Sequence, residues 1–411
     1  MRVAVVAIGN EILSGITVNS NAAYISKELF LFGLQVTSHR VFSDDVHELE
    51  EGLRGMLSSY DIVICTGGLG PTCDDRTRQV AAILFDSEFV CDEVLERQLE
   101  ERYGKNTPSL KDQATYPKKA YVLQNMLGTA PGFLFKDEKR MLILMPGVPH
   151  EMKQMFQSEL IPYLKKNITL SSRPFQKKLC FCRLLEVHVD PLIRSLESIF
   201  PDVEFGIYPS LGLLSVVLKT YAQDEILADE KLDPPLKMIK EAFLKFFYES
   251  PSGTLEEAIH LFCTSSKKTL SFAESCTGGS LASKMTALTG ASKYFKGSIV
   301  AYANEVKEHV LGVSSETLAT RGAVSEETVK EMARGVKLRM NTDFSIAVSG
   351  IAGPDGGSVE KPVGTVCAAI AYDSEVYAWT FQADGTREMI INYSVNEVLG
   401  TFWQRICKQY R

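Results

Sequence analysis

The sequence predicts an α/β protein in which two parallel-sheet α/β domains are joined by a small α+β domain. At 411 residues the chain is too long for a single ordinary hydrophobic core. Short apolar runs alternate with helical patterns in residues 1–168 and again in residues 253–411, as in proteins with helices on both faces of a parallel sheet. Residues 169–252 lack this regular alternation, so we expect a separate α+β domain there.

The first domain is predicted from seven apolar or amphipathic segments. A continuous apolar run at residues 3–8 is typical of a strand buried on both faces, and a helical pattern follows that ends at Gly33. Further strands are predicted at residues 34–41, 61–66 and 140–145, and further helices at residues 48–58 and 76–84. Gly9, Gly67 and Gly147 follow three of these strands and mark the sheet edge where a ligand is expected.

The remaining elements are predicted in the same way. In the middle domain we expect strands at residues 177–185 and 211–219 and helices at residues 192–199 and 232–247, followed by a linker at residues 250–253. In the last domain the predicted strands are residues 269–274, 298–303, 344–349 and 364–371, and the predicted helices are residues 254–265, 325–340 and 387–409. The middle domain contains no chemical motif, so function is expected in the two outer domains.

Composition and charge exclude several classes of protein. Hydrophobic residues make up 45% and charged residues 23% of the chain, as in ordinary globular proteins. The net charge of −7 argues against general nucleic-acid binding, which needs a basic surface. We expect no membrane span, because no apolar stretch reaches ~18 residues, and no signal peptide, because the apolar start is short and carries one basic residue. Nine scattered cysteines without paired CxxC spacing fit reduced thiols in the cytoplasm.

The most informative motif is FAESCTGG at residues 272–279, where a predicted strand turns into a helix. The start of a helix has unpaired N–H groups and suits an anion or a developing oxyanion. A hydroxyl and a thiol at this position are typical of covalent catalysis, with Ser275 or Cys276 as the nucleophile. The alternative is a serine that caps the helix, with glycines that permit close packing on the sheet.

Three other segments place polar residues at strand ends of the same domain. Tyr302 and Asn304 close one predicted strand and Lys307 begins the next helix. A glycine-rich loop that includes Gly350 and Gly353 follows another strand, and Arg387 begins the last helix. Taken singly, each has an ordinary structural interpretation as a half-buried tyrosine, a solvated lysine, a tight turn or a helix start. Because strand ends meet at one sheet edge, we expect these groups to lie together.

The first domain carries a second glycine-rich motif, TGGLGPTCDD at residues 66–75. Glycines after a buried strand allow a phosphate to approach the backbone, although the spacing is neither GxGxxG nor a Walker loop. Carboxylates at the strand ends suggest a divalent cation bound with a phosphorylated substrate; they are Glu11, Asp44, Asp74 and Asp75. The alternative is that these carboxylates cap helices, and the spacing does not decide between the two.

The last domain resembles the nicotinamide mononucleotide deamidase domain of the competence/damage-inducible CinA family. The resemblance covers nearly all of residues 254–400 and rests on AESCTGG (273–279), YANEVK (302–307), GAVS (322–325) and GIAGP (350–354). It implies hydrolysis of nicotinamide mononucleotide to nicotinate mononucleotide and ammonia without a cofactor. It also implies Ser275 as the nucleophile rather than Cys276, Lys307 as the base or proton shuttle, and Tyr302 beside them.

The same resemblance implies roles for the remaining residues of this constellation. Tyr302 would relay a proton or fix the serine hydroxyl, and Asn304 would contact the substrate. The backbone around Thr277, Gly278 and Gly279 would bind the substrate and form the oxyanion hole. The loop with Gly350 and Gly353, together with Arg387, would bind the ribose and phosphate.

The first domain is similar to molybdopterin-binding domains and to the N-terminal domain of the same family. The similarity covers about residues 1–165 and rests on GNEILSG (9–15), TGGLGPTCDD (66–75), GTAPG (128–132) and PGVPHEM (146–152). In this family the domain is associated with metal-dependent ADP-ribose pyrophosphatase activity. The resemblance implies phosphate or substrate contacts from Gly67, Gly68, Gly70, Thr72 and Asp75, and candidate metal ligands Glu11, Asp44 and Asp74. One departure from the family pattern is Asp112, which would weaken pyrophosphate binding if its segment contacts the substrate.

The leading hypothesis is therefore a bifunctional hydrolase of pyridine nucleotides with the small substrates nicotinamide mononucleotide and ADP-ribose. A divalent metal of unknown identity would serve the first domain. The alternatives are a molybdopterin-binding module with an inactive partner domain, and a competence-linked interaction protein. The resemblance also implies a homodimer.

Overall fold

The computed structural model describes residues 1–70, 75–104, 107, 109–137, 140–170 and 172–409. The chain forms two compact units, one of Met1–Phe175 with Tyr221–Leu227 and the other of Gln176–Thr220 with the chain from Ala228 onwards. Most of the predicted α+β segment therefore belongs to the second unit. Both units contain a central sheet flanked by helices, which confirms the predicted α/β class. Among the described residues, no helix is both long and apolar enough to cross a membrane.

The first unit contains eight strands and eight α-helices among its described residues up to residue 170. Its elements are β1 (Val3–Ile8), α1 (Asn10–Leu13), α2 (Ser20–Phe32), β2 (Val36–Phe42), α3 (Val46–Ser59), β3 (Ile62–Thr66), α4 (Thr77–Leu84), β4 (Phe89–Cys91), α5 (Glu93–Tyr103), α6 (Leu110–Gln113), β5 (Thr115–Pro117), β6 (Tyr121–Leu123), β7 (Gly132–Lys136), β8 (Met141–Met145), α7 (Pro149–Met155) and α8 (Ile161–Asn167), with a π-helical turn at Phe156–Leu160.

The main sheet of this unit has the strand order β2-β1-β3-β8-β7-β6. The first four strands are parallel, so the carboxyl ends of β1, β3 and β8 meet at one edge. Alternate residues of β1 pack into two separate hydrophobic clusters, which explains its continuous apolar sequence. The last two strands are antiparallel, so the predicted parallel sheet carries two antiparallel strands at one side. β7 ends at Lys136 and β8 begins at Met141, and so short a connection joins only antiparallel strands.

The α+β segment forms a four-stranded sheet in the order β10-β11-β9-β12. Its elements are β9 (Arg173–Cys182), α9 (Glu186–Ile199), β10 (Glu204–Ser210), β11 (Leu213–Ala222), α10 (Glu225–Ala242) and β12 (Phe247–Tyr248). The helix predicted from residue 192 begins at residue 186 and continues through Pro191. Val189, Ile193 and Leu196 are buried along one face of α9, and this packing favours a continuous helix despite the missing proline donor.

The rest of the second unit contains, among its described residues, five strands that form one sheet with its own hydrophobic core. Its elements are α11 (Leu255–Ser266), β13 (Leu270–Glu274), α12 (Ser280–Thr286), β14 (Phe295–Val300), α13 (Asn304–Leu311), α14 (Ser315–Thr320), α15 (Glu326–Met340), β15 (Phe344–Gly350), β16 (Thr365–Tyr372), β17 (Glu375–Gln382) and α16 (Arg387–Phe402), with a 3₁₀ turn at Ala291–Lys293 and a π-helical turn at Trp403–Cys407.

These strands form a sheet in the order β14-β13-β15-β16-β17. β14, β13 and β15 are parallel, whereas β16 and β17 are antiparallel, a second departure from the predicted parallel sheet. The carboxyl ends of three strands and the beginning of β16 therefore share one edge. The segments that follow these three strands begin at this edge, with Ser275, Ala301 and Ile351.

The α+β segment is attached to α16 by side-chain contacts within the second unit. Arg183 Nε donates to Glu397 Oε1 at 2.8 Å, and Asn396 Nδ2 donates to the Leu211 carbonyl at 3.0 Å. Gln404 Nε2 donates to the Cys182 carbonyl at 3.1 Å. These contacts explain why residues 176–220 belong to the same compact unit as the last sheet.

Candidate active site

A small cavity lies at the carboxyl edge of the second-unit sheet. Its volume is about 230 Å³. Several of the residues predicted from the sequence line it together, which is the juxtaposition expected from strand ends. The lining consists of Ser275, Cys276, Tyr302, Asn304, Lys307, Ala323, Val324, Ser349, Gly350, Ala352 and Arg387.

Ser275 lies directly after β13, at the point where the chain turns towards α12. Its backbone N–H donates to the Val348 carbonyl at 3.0 Å, which ties the turn to the end of β15. Its side-chain Oγ is 3.2 Å from Lys307 Nζ. The predicted nucleophile and base are therefore within hydrogen-bond distance of each other.

Lys307 on α13 is almost completely buried, with 1% of its surface exposed. Its Nζ contacts the carbonyls of Ala301 at 2.8 Å and Tyr302 at 3.2 Å, in addition to Ser275 Oγ. Burial lowers the pKa of Lys307, and the nearby Cys276 opposes this only in part. A neutral amine has two N–H donors and one lone pair. Since both carbonyls can only accept, the lone pair of a neutral Lys307 is directed at Ser275 Oγ.

Cys276 is the alternative nucleophile raised by the sequence. Burial raises the pKa of its thiol to about 12. The reactive form of a cysteine is the thiolate, which this environment disfavours. The sulfur is also tightly packed, since a Cβ on Gly350 would lie 3.1 Å from it. The geometry thus supports Ser275, with Cys276 as a packing residue.

Glu274 has a structural role that the sequence analysis did not identify. Its carboxylate is fully buried and accepts five hydrogen bonds. Three come from backbone N–H groups at the start of α12 and two from hydroxyl groups; the donors are Gly279, Leu281 and Ala282, each at 3.0 Å, and Thr277 and Ser298, each at 2.9 Å. The buried acid next to the nucleophile thus caps the following helix and links it to β14.

This arrangement changes the expected role of residues 277–279. The Gly279 N–H donates to Glu274, and the Gly278 N–H donates to the Ser275 carbonyl at 3.1 Å. The Thr277 hydroxyl is also used by Glu274. None of these three residues lines the cavity. The N–H groups of Gly278 and Gly279 are therefore engaged within the protein and do not face a substrate as the prediction required.

Tyr302 and Arg387 form the outer part of the cavity. Arg387 Nη2 donates to the Tyr302 hydroxyl at 3.1 Å, and Arg387 Nη1 donates to the Gly353 carbonyl at 2.7 Å. The Tyr302 side chain is 61% exposed. Its hydroxyl contacts Arg387 rather than Ser275 or Lys307, so the predicted proton relay through this group is not formed. Gly353 holds Arg387 but does not itself line the cavity.

The wall at Ala323 and Val324 was not among the predicted site residues. Ser349 Oγ donates to the Ala323 carbonyl at 2.7 Å, and Lys361 Nζ donates to the Val324 carbonyl at 2.7 Å. These bonds hold two apolar residues of the cavity lining in place. The GAVS segment is the only sequence signal for these two residues. Their hydrogen-bond partners, Ser349 and Lys361, lie far along the chain, and such contacts leave no local sequence pattern.

A second, larger cavity of about 550 Å³ lies at the carboxyl ends of β1, β3 and β8 in the first unit. It is lined by six of the predicted residues, namely Glu11, Asp44, Gly67, Gly68, Gly70 and Asp75. Thr72 and Asp74 lie outside the described residues.

Gly67 and Gly68 adopt backbone conformations that other residues rarely take, with φ of +108° and +66°. A Cβ at Gly67 would lie 2.3 Å from the Ile8 carbonyl, and one at Gly68 would lie 2.1 Å from Thr77 Oγ1. Glycine is therefore required at both positions. Both Cβ positions point into the protein, and the Gly67 N–H donates to the Met145 carbonyl at 3.1 Å, so packing and backbone conformation account for these glycines.

The proposed metal ligands fit less well. Asp44 Oδ2 accepts from the Asn10 N–H at 3.0 Å. In the part of the chain that the structure describes, no group of three or more His, Cys, Asp or Glu side chains is placed to hold a metal ion. Within the described ranges, Glu11 and Asp44 alone do not form a metal site.

Asp112, which departs from the family pattern, does not line this cavity. Its Oδ2 accepts from Arg78 Nη2 at 2.9 Å, and the Arg78 side chain is buried. Arg78 also donates to the carbonyls of Asp112 and Thr115. Asp112 thus neutralises a buried arginine, and its carboxylate is not placed to repel a ligand in the cavity.

Comparison with known protein families gives two matches that together span most of the chain. Residues 4–166 match the family described as "Probable molybdopterin binding domain". Residues 252–406 match the family described as "CinA C-terminal domain".

Similar proteins extend over nearly the whole chain. A CinA-like protein from Prochlorococcus marinus is 37% identical over 375 residues, which is 90% of this chain and 86% of the relative. A CinA-like protein from Amoebophilus asiaticus is 36% identical over 401 residues, covering 94% of this chain and 95% of the relative. Among solved structures, the competence/damage inducible protein CihA from Agrobacterium tumefaciens is 39% identical, with a TM-score of 0.35, covering 36% of this chain and 91% of that one.

Proposed function

The chain belongs to the CinA family, and from that premise we propose that the site around Ser275 hydrolyses the carboxamide of nicotinamide mononucleotide. The products are nicotinate mononucleotide and ammonia. The observation that carries the proposal is the contact of a buried lysine amine with a serine hydroxyl at 3.2 Å. A serine hydroxyl is a weak nucleophile at neutral pH and requires such a base.

The proposed reaction proceeds through an ester on Ser275. Neutral Lys307 takes the proton from Ser275 Oγ as this oxygen attacks the carboxamide carbon. The tetrahedral oxyanion is stabilised by a backbone N–H at the nucleophile turn, for which Cys276 is the candidate because it directly follows the nucleophile. Protonated Lys307 then gives its proton to the leaving nitrogen, and ammonia departs. Water hydrolyses the ester, which yields the carboxylate and restores Ser275.

The shape of the cavity supports a mononucleotide as the substrate. Ala323, Val324 and Ala352 provide apolar surface for the pyridine ring, with Ser275 and Lys307 at its amide. Arg387 and Asn304 lie where the ribose and phosphate would extend, and a guanidinium suits a phosphate. A cavity of about 230 Å³ favours the smaller of the two nucleotide classes, a mononucleotide, over a dinucleotide.

The decisive test compares ammonia release by Ser275→Ala and Cys276→Ala. Loss of the nucleophile in a serine hydrolase typically removes at least about a thousandfold of the rate, and we expect this for Ser275→Ala. Cys276→Ala leaves most of the activity, with its thermal unfolding as the control for packing. Activity retained in Ser275→Ala, or absent from the unsubstituted protein, would contradict the proposal.

A second activity is proposed for the first unit, namely hydrolysis of ADP-ribose to AMP and ribose 5-phosphate. The cavity of about 550 Å³ at the carboxyl ends of three parallel strands supports it, because ligands of α/β sheets bind at such an edge and this cavity has room for a dinucleotide-sized molecule. The test is AMP release from ADP-ribose with and without added divalent cations. The alternative, a molybdopterin-binding module, predicts co-purified pterin fluorescence and no AMP release.

A further inference from the structure

Two exposed apolar side chains line the cavity of the first unit. Val18 is 85% exposed and Val148 is 44% exposed, yet both belong to the cavity lining. Exposed apolar surface inside a cavity loses its contact with water when a ligand binds, which favours a ligand with an apolar face. Neither residue is explained by phosphate binding.

Both side chains are carried by ordered backbone. The Ser20 N–H donates to the Val18 carbonyl at 2.8 Å, and the preceding Thr17 N–H donates to the Glu11 carbonyl at 3.1 Å. Val148 caps α7, since the Met152 N–H donates to the Val148 carbonyl at 3.0 Å. Each valine is thus held in place before any ligand arrives, so little conformational entropy is lost on binding.

A buried asparagine connects the two segments. Asn21 Nδ2 donates to the Gly147 carbonyl at 2.7 Å, which joins the start of α2 to the turn that carries Val148. The same turn lies against the glycine backbone, because a Cβ on Gly147 would be 3.4 Å from Gly67 Cα. The apolar pair and the glycine backbone therefore belong to one rigidly connected site.

We propose that Val18 and Val148 bind the planar heterocycle of a phosphorylated ligand whose phosphate lies at Gly67 and Gly68. The inference rests on the proposed nucleotide-binding role of this cavity and adds the residues that recognise the ring. A purine and a pterin share this chemistry, since both are flat nitrogen heterocycles with apolar faces. Sugar phosphates that lack a nitrogen heterocycle would use only the glycine end of the site.

The substitutions Val18→Ser and Val148→Ser test the proposal without adding charge. Both side chains are exposed enough that their removal leaves the hydrophobic core intact. Loss of one valine contact is expected to weaken binding of a ring-bearing ligand about fivefold, and loss of both more than about tenfold. The matched control is Ile16→Ser, because Ile16 is 81% exposed on the same segment but does not line the cavity.

Binding is measured by calorimetry on the full chain with ADP-ribose, a pterin phosphate and ribose 5-phosphate as probes. The expected result is weaker binding of a ring-bearing probe by both valine variants, with ribose 5-phosphate binding and the Ile16→Ser variant unchanged. Which ring-bearing probe is affected identifies the heterocycle as purine or pterin. Equal binding by valine variants and unsubstituted protein, equal loss of ribose 5-phosphate binding, or no binding of either ring-bearing probe would overturn the inference.

This test separates the inference from the proposed pyrophosphatase activity. If ring-dependent binding requires Val18 but no AMP is released, the inference stands and the hydrolytic activity is contradicted. If AMP is released and the valine variants bind ADP-ribose normally, the activity stands and the inference is wrong.

Discussion

At the scale of single residues, the chemistry of the second unit depends on the protonation state of Lys307. The side chain has no carboxylate among the partners of its Nζ, which are two carbonyls and one hydroxyl. Carbonyl oxygens stabilise an ammonium less than a carboxylate does, so the lowering of the pKa by burial is not offset by an ion pair. Burial therefore favours the neutral amine, which is the form that can act as a base.

We expect kcat/KM for deamidation to rise with pH through the lowered pKa of Lys307. Below this pKa the lysine is protonated and cannot accept the serine proton; above it the amine is neutral and active. The midpoint is therefore expected below the ~10.4 of an ordinary lysine. A pH profile of initial rates measures it, with Lys307→Met as the inactive control. A midpoint at the ordinary lysine value would show that burial does not activate this residue.

We expect Tyr302→Phe to retain activity within about fivefold. The lost hydroxyl contacts Arg387 and not the reacting groups, so its removal affects substrate positioning more than proton transfer. Steady-state kinetics then show a change mainly in KM, whereas Lys307→Met loses kcat. A loss of kcat of about a hundredfold or more in Tyr302→Phe would contradict this expectation and support the proton relay that the sequence predicted.

The residue types at this site could be predicted from the sequence, but which of these residues contact one another could be predicted only in part. Ser275 and Lys307 stand at strand and helix ends that topology brings together, so their juxtaposition follows from the order of elements. The partner of the Tyr302 hydroxyl depends on a side-chain conformation, for which no sequence pattern exists. The role of Glu274 was missed because its donors are distributed over two elements.

At the scale of elements, the nucleophile turn is stabilised by the carboxylate of Glu274. Both of its oxygens accept hydrogen bonds, so neither can be replaced by a donor without loss. The positive end of α12 compensates the buried negative charge. The turn and the following helix are therefore held together by this one buried carboxylate.

We expect Glu274→Gln to lower the free energy of unfolding by about 2–4 kcal/mol. The glutamine amide would direct its own N–H groups at backbone N–H groups, leaving buried donors unsatisfied. Ser298→Ala removes one of the five donors and is expected to cost only about 1 kcal/mol. Urea unfolding followed by fluorescence compares the two variants. Equal effects from both would mean that the carboxylate is not the centre of this network.

Several elements could not be predicted because their sequence signals are weak or conflicting. β17 pairs with β16 over eight positions, yet its alternation of aromatic and small residues was not recognised as a strand. β10 was missed because it carries Gly206 and Pro209, residues that normally indicate turns. Its regular pairing with β11 shows tertiary context overriding local propensity.

At the scale of the whole molecule, the chain consists of two compact units, each with its own core and its own cavity. The sequence predicted the two outer α/β regions because alternating patterns extend over each of them. It did not indicate that most of the α+β segment belongs with the second unit, since that depends on contacts such as Arg183 with Glu397. Contacts between residues this far apart in the chain leave no periodic pattern in the sequence.

We expect calorimetry to show two unfolding transitions that respond to different ligands. A ligand stabilises only the unit that binds it, by about 2.7 kcal/mol at one hundred times its dissociation constant. Nicotinamide mononucleotide with the Ser275→Ala variant, which does not consume it, is expected to shift one transition. ADP-ribose in the absence of added metal is expected to shift the other. A single transition that both ligands shift together would show that the two units unfold as one.

Gly350 has a consequence for how the second site can diversify in evolution. A Cβ at this position would lie 3.1 Å from the Cys276 sulfur, 3.0 Å from the Thr365 carbonyl and 2.7 Å from a Val366 methyl group. Packing therefore excludes a larger residue at this position of the cavity lining. Substitutions that change the choice of substrate are expected instead at exposed lining positions such as Tyr302 and Arg387.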